Sequence, residues 1–227
     1  MDMAQKKSLM GALPDTRLLM NYGATEARRA VYMDLNEHPE RLTSIGKPLD
    51  GVSIKILDEE NQEIESSPSR VGRIAICGGN CMAGYWRAPD LTEETMVAGG
   101  ILTNDLGYID EEGFIFLMGR ANDMINIGGE KVSPFEIEDA ILSFGGISEC
   151  ACIAIEDKNG ILGEAPMAFI VPSEGEISTE ELRDYLLKRL EGYKVPATYE
   201  AIKELPKNYM GKIDRQRLKK IADGGIS

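Results

Sequence analysis

Between Gly119 and Glu138 the chain reads GRANDMINIGGEKVSPFEIE, and no other stretch restricts the fold as much. An arginine, a polar link, the apolar strand MINI, a double glycine and a capped helix follow one another without a break. Ser133 with Glu136 three residues later has the pattern of a capping box, and Pro134 takes the first helical position. Ile137, Ala140, Ile141 and Phe144 then recur at the spacing of one helix face, and Gly145-Gly146 stops the run. The segment divides the chain into a strand-rich part before it and a mixed part after it.

Upstream, VSIKILDEE (52–60) puts Val52, Ile54 and Ile56 on one face, and GRIAICGG (72–79) does the same with Ile74 and Ile76. GYIDEEGFIFLMGR (107–120) reads as a hairpin around Asp-Glu-Glu-Gly. Short strands clustered in this way predict a small barrel or folded sheet. Downstream, ECACIAIED and APMAFIVP read as strands, and Ser178 with Glu181 caps a second helix whose stripe is Leu182, Tyr185, Leu186 and Leu190. A strand at 198–202 and a helix from about Asp214 complete a unit of ordinary domain size. The expected fold class is α+β and multi-domain. A barrel-like body over 1–119 and a hinge over 120–123 precede a small α+β domain over 124–227.

Net charge is −13, which disfavours unspecific binding to nucleic acid or anionic membrane. No run approaches the ~18 apolar residues of a spanning helix, so the expectation is a soluble, cytoplasmic protein. The opening MDMAQKKSLMGALPDTRLLMNYG carries no apolar signal segment and reads as a start partway through a domain. Cys77/Cys81 and Cys150/Cys152 lack zinc-knuckle spacing, and His38 lies far from both pairs. They are read as reduced, half-buried small hydrophobes, and His38 as a loop residue. No metal site through Cys or His is expected.

Chemistry resides in four motifs, in the order NYGATE (21–26), TNDLGYID (103–110), the Gly119–Glu138 stretch and PKNYMGKIDR (206–215). Together they resemble the adenylate-forming enzymes: acyl-CoA synthetases, peptide-synthetase adenylation domains and luciferases. The resemblance covers nearly the whole chain, but only the C-terminal portion of such an enzyme. It implies ATP/AMP, Mg2+ and CoA as cofactors and a small-molecule carboxylic acid as substrate, with no nucleic-acid partner and an oligomeric state left open.

By that resemblance, Tyr22 stacks on adenine beside Gly23, Thr25 bonds the α-phosphate and Glu26 holds magnesium. One carboxylate suffices there, because Mg2+ takes its remaining ligands from phosphate and water. Asp105 is implied as the ribose residue, since a carboxylate can accept from both vicinal hydroxyls. Asn104 stands where the family has glycine, and asparagine tolerates the positive φ such a glycine can supply. Arg120 is implied to reach ribose or phosphate. Asn122 stands at the family's hinge, where Asp or Lys is usual.

Gly128 and Gly129 match the loop that lines the pantetheine tunnel in CoA-ligating members, although a tight turn before a helix also accounts for them. Lys212 matches the catalytic lysine that bridges substrate carboxylate and α-phosphate. A compact ammonium on a flexible stem suits that task. Residues 203–220 hold seven Lys or Arg against two acids, a local reversal of charge that attracts polyanions. Tyr85 and Trp86, in a family-like GYW segment, are expected to pack the barrel.

No glycine- and threonine-rich phosphate loop precedes NYGATE. The expected function is therefore that of the C-terminal part of an acid–CoA ligase, inactive as an isolated piece. Two alternatives are an adenylating enzyme that loads a carrier-protein thiol and a nucleotide-binding module without chemistry.

Overall fold

The computed structural model describes residues 3–157, 160 and 162–224. The chain forms two compact units, Met1–Asn122 and Asp123–Ser227.

The first unit opens with helix α1 (Met3–Ala12) and the strands β1 (Leu19–Tyr22), β2 (Val31–Asp34) and β3 (Lys47–Pro48), an antiparallel sheet in that order. Then come β4 (Val52–Leu57), β5 (Gly72–Gly78), helix α2 (Pro89–Thr95), β6 (Met96–Val97), β7 (Gly100–Ile109) and β8 (Ile115–Arg120). They form a second antiparallel sheet ordered β4-β5-β7-β6, with β8 also paired to β7. The Asp-Glu-Glu-Gly turn forms because the Asp110 carboxylate accepts the Glu112 and Phe114 N–H groups at 3.0 and 2.8 Å.

Alternation works as the sequence predicts. Ile54, Ile56, Ile74 and Ile76 are all buried in one core with Ala27, Val31, Ile101 and Ile115. The two sheets meet where Gly46 bridges Ile115 and the Ile45 N–H donates to the Ile115 carbonyl at 2.9 Å. Two sheets joined in this way around one core make the barrel-like body. The elements α1, α2 and β6 and the short strands β1, β2 and β3 lie outside the segments whose patterning predicts structure.

In the second unit β9 (Ile125–Ile127) turns back as β10 (Glu130–Val132), followed by α3 (Pro134–Leu142). Ser133 caps α3, accepting the Phe135 N–H at 3.2 Å, while Glu136 pairs with the Lys194 ammonium at 2.8 Å. β11 (Ile147–Glu156), β12 (Glu164–Pro172), α4 (Thr179–Leu186), β13 (Thr198–Ala201) and α5 (Arg215–Ala222) follow. The sheet order is β11-β12-β13, antiparallel then parallel.

Both faces of this sheet are covered. Cys150, Cys152, Ala168 and Ile170 pack with Ile137 and Ile141 of α3 and Leu182 and Leu186 of α4. On the other face Ala151, Ile153, Met167 and Phe169 pack with Leu205 and with Leu218 of α5. Each fully buried Ile, Leu, Met or Phe side chain among them contributes about 1.5–3 kcal/mol. Cys150 and Cys152 do share a face, but they are fully rather than half-buried, because helices cover it. Burial pushes the Cys152 thiol up, so it remains protonated. His38 lies in a loop with its ring edge-on to Phe114 at 5.0 Å.

Candidate functional site

In the first unit the NYGATE segment leaves β1 through a tight turn. Ala24 and Ala27 exchange backbone hydrogen bonds at 3.0 and 3.3 Å, which sets exposed Thr25 and half-buried Glu26 at the tip. Gly23 has no room for a side chain: a Cβ there would lie 2.7 Å from the Arg29 nitrogen and 2.9 Å from the Ala27 oxygen. Its glycine is explained by that close approach.

Tyr22, at the end of β1, is half-buried and packs on the barrel core. Its hydroxyl donates to Asp105 Oδ2 at 2.7 Å, across 83 residues of sequence. Burial, then the neighbouring Asp105 carboxylate, pushes the Tyr22 phenol well above its ordinary range. It is therefore a permanent donor.

Asp105 sits on β7, where its backbone N–H donates to the Thr103 hydroxyl at 3.2 Å. Its partner across the ladder is Arg120, the last residue of β8, whose Nε lies 3.6 Å from Asp105 Oδ1. Tyr22, Asp105 and Arg120 are thus gathered from three strands into one polar chain. Asp105 retains free lone pairs, since each carboxylate oxygen can accept more than once. Asn104 lies inside β7 and is not among the residues of positive φ. The conformational reason for a glycine there is removed, because no positive φ is required.

Glu26 accepts the Tyr85 hydroxyl on Oε1 at 2.6 Å, and its carbonyl accepts the Met82 N–H at 2.7 Å. Tyr85 therefore supports the NYGATE turn rather than only packing the barrel. Trp86 departs further from expectation, being 87% exposed with Arg87 stacked 5.6 Å from its ring. No group of three or more His, Cys, Asp or Glu able to hold a metal occurs among the described residues. Glu26 offers an oxygen ligand of the kind magnesium takes, but one only, so it fits a cation whose remaining ligands are phosphate and water.

In the second unit Gly128 and Gly129 form the two-residue turn between β9 and β10, with φ of 62° and 96°. Two consecutive positive φ values are what such a hairpin turn requires, so the turn accounts for both glycines. The Asn126 side chain accepts the Gly129 N–H at 3.1 Å, and the Leu162 carbonyl accepts that of Gly128 at 2.8 Å. The turn is exposed, with open space where a Gly129 side chain would stand. Asn122 is exposed and lies in the 3-10 turn Ala121–Asp123.

Lys212 is exposed on a small hairpin closed by a bridge between Lys207 and Ile213. Three residues on, Arg215 opens α5 and pairs with Glu138 of α3, an ion pair that no local sequence pattern announces. Glu138 also accepts the Cys152 N–H at 2.8 Å, and Arg215 Nε donates to the Cys152 carbonyl at 3.3 Å. β11 is an edge strand, and the pair occupies both outward backbone groups of Cys152. Burial pushes the Glu138 carboxyl up to about 7, against the opposing pull of Arg215.

Residues 3–86 match the AMP-binding enzyme family, and residues 136–212 match the AMP-binding enzyme C-terminal domain. The long-chain-fatty-acid–CoA ligase of Escherichia coli O157:H7 is 35% identical over 92% of this chain, which spans 36% of that protein. A fatty acid–[acyl-carrier-protein] ligase of Streptomyces coeruleorubidus is 35% identical over 92% of the chain and 40% of its own length. The o-succinylbenzoate CoA synthetase of Bacillus subtilis, solved with its acyl-adenylate intermediate, superposes with a TM-score of 0.85 at 32% identity, over 96% of this chain and 44% of that one. The same enzyme with ATP and magnesium superposes at 0.82, with 33% identity over 94% and 44% of the two chains. The chain therefore spans 36 to 44% of the length of these relatives. On these matches and on its α+β architecture, it belongs to the family of AMP-binding, adenylate-forming enzymes.

Proposed function

We propose that this chain supplies the adenosine-facing and lysine-bearing parts of an ATP-dependent, cytoplasmic acid–CoA ligase. The observation that carries the reading is the Tyr22–Asp105–Arg120 chain. Three motifs distant in sequence converge on one carboxylate that retains capacity to accept from a ribose.

In this reading the Tyr22 ring lies against adenine next to Gly23, and Asp105 accepts the two ribose hydroxyls. Arg120 faces the ribose or phosphate. The Thr25 hydroxyl donates to the α-phosphate, and Glu26 is the residue that would hold magnesium, which when bound neutralises phosphate charge. An oxygen of the substrate carboxylate attacks the α-phosphorus, the bond to pyrophosphate breaks, and an acyl-adenylate forms. Lys212 lies between the two anions and offsets their repulsion, an electrostatic role suited to a single mobile ammonium. The CoA thiolate then attacks the acyl carbon and AMP leaves. The Gly128–Gly129 turn lines the approach of the pantetheine arm, and Asn122 is the pivot between the two steps. The body over 1–119, the hinge over 120–123 and the domain over 124–227 are the parts of that device.

Acid-dependent pyrophosphate release by the complete ligase, followed by loading of CoA, tests the proposal. Release that does not depend on any carboxylic acid would overturn it. The similarity to a carrier-protein ligase favours one second reading, in which the acyl group goes to a carrier thiol. Transfer to holo carrier protein with none to CoA would decide for it.

A further inference from the structure

We infer that Asn208 is a positioning residue for Lys212, holding the lysine backbone in the register from which its ammonium is presented. The inference rests on the reading that Lys212 acts in adenylation. Asn208 received no role from the sequence, yet it accounts for the shape of the loop. Its Oδ1 accepts the Met210 N–H at 2.9 Å and the Lys212 N–H at 3.1 Å. Its own N–H donates to the Lys212 carbonyl at 2.8 Å, and its carbonyl accepts the Gly211 N–H at 2.9 Å. Both backbone groups of Lys212 are therefore held by one residue.

This is the competition that asparagine side chains offer to ordinary backbone pairing, and here it closes a tight turn. Gly211 takes the φ of +76° that the turn needs. The two ends of the loop are fastened independently: Lys207 Nζ pairs with Glu149 at 2.7 Å, and the Asp214 N–H donates to the Pro206 carbonyl at 2.8 Å. Asp214 then caps α5 by accepting the Arg217 N–H at 3.0 Å. Between these anchors the tip is exposed, Tyr209 at 98% and Met210 at 60%, and buries almost no apolar surface that could hold it. Hydrogen bonding from Asn208 is what remains to define the Lys212 backbone. A long, flexible side chain is aimed most economically by fixing its Cα while its stem stays free to swing.

Two measurements test the inference. In the 227-residue chain, Asn208→Ala should bring the Lys212 amide to the hydrogen-exchange rate of an open loop and leave the Cys152 amide protected. Asn208→Asp, which keeps the acceptor, should restore protection at Lys212. In the complete ligase, Asn208→Ala should lower the adenylation kcat by about 10- to 100-fold, the scale expected of an ångström-sized misplacement. The KM for ATP and thioester formation from supplied acyl-adenylate should stay within about twofold, because neither is asked of this loop. Equal loss of both half-reactions would overturn the inference, since it would mean a general structural role. Full adenylation by Asn208→Ala alongside its abolition by Lys212→Ala would also overturn it while leaving the function of Lys212 standing. Retention of adenylation by Lys212→Ala would instead bring down the reading of Lys212 itself, and the inference with it.

Discussion

The Tyr22 hydroxyl spends its single proton on Asp105, so removing it leaves an aromatic ring in place and a carboxylate without its donor. A hydrogen bond to a charged group contributes roughly 1.5–3 kcal/mol. Tyr22→Phe in the complete ligase should therefore raise the KM for ATP by about tenfold, with a smaller effect for 2′-deoxy-ATP. Equal effects on the two nucleotides would mean that the hydroxyl does not orient the ribose residue. Glu138 is a second residue whose chemistry is local. Burial lifts its carboxyl to about 7, above the about 4.3 of an exposed glutamate. Between those values the folded chain holds a proton that the unfolded chain releases, so stability from this group is lost as pH rises through 7. Thermal unfolding of the 227-residue chain should show a midpoint falling by about 5 °C from pH 5 to pH 8. Glu138→Gln should remove that part of the slope, and an unchanged slope would refute the assignment. Arg215, Cys152 and Asp139 are the neighbours that share its field.

At the scale of the element, the β9–β10 turn carries two residues in a conformation that side chains resist. Gly129 has a φ of 96° with open space around its missing Cβ, so Gly129→Ala costs strain rather than collision. About 1–3 kcal/mol of destabilisation is expected, read as a lower midpoint of thermal unfolding. If the turn lines the pantetheine path, the same change should slow thioester formation in the complete ligase by about tenfold or more and leave adenylation nearly intact. Loss confined to adenylation would separate this turn from CoA. The caps of α3 and α4 show why elements here were predictable. Ser133 and Ser178 accept N–H groups two and three residues ahead, chemistry that needs no partner from elsewhere in the chain. β10, as short as β9, is not legible because Glu130 and Lys131 are polar and exposed and leave Val132 as its one buried residue, whereas β9 is marked by two buried isoleucines.

For the whole molecule, the 3-10 turn at Ala121–Asp123, with Asn122 exposed, holds the boundary between the two compact units. Polar links with few crossing contacts are where domains move. Asn122→Pro restricts φ and removes a donor. In the complete ligase it should depress one half-reaction by about tenfold more than the other, measured as pyrophosphate release against thioester formation. Wild-type rates in both would mean that the pivot lies elsewhere. The chain spans 36% of the Escherichia coli relative, and catalysis depends on groups assembled in one site. Pyrophosphate exchange by the purified 227-residue chain is accordingly expected at background, and a clear signal would refute that.

Everything carried by short separations is legible in the order of the amino acids alone. The alternation of Ile54, Ile56, Ile74 and Ile76, the stripe through Ile137 and Ile141, the serine caps and the Asp110 turn depend on neighbours within a few residues. Motif order identified Tyr22, Asp105, Arg120 and Lys212 as residues of interest, without saying which of them touch. The contacts themselves were decided by the tertiary structure. The Tyr22 hydroxyl on Asp105, the Tyr85 hydroxyl on Glu26 and the Glu138–Arg215 pair over the outer edge of Cys152 join residues 83, 59 and 77 positions apart. No local period reports such pairings, because they arise only when strands and helices pack and buried polar atoms must find partners. The same reason explains Asn104, a substitute for glycine by motif, which falls in β7 where the register with β5 shifts between the Arg73–Leu106 and Ala75–Leu102 pairs. Local chemistry can be read one turn at a time, whereas a buried hydrogen bond between distant segments exists only after the chain has folded.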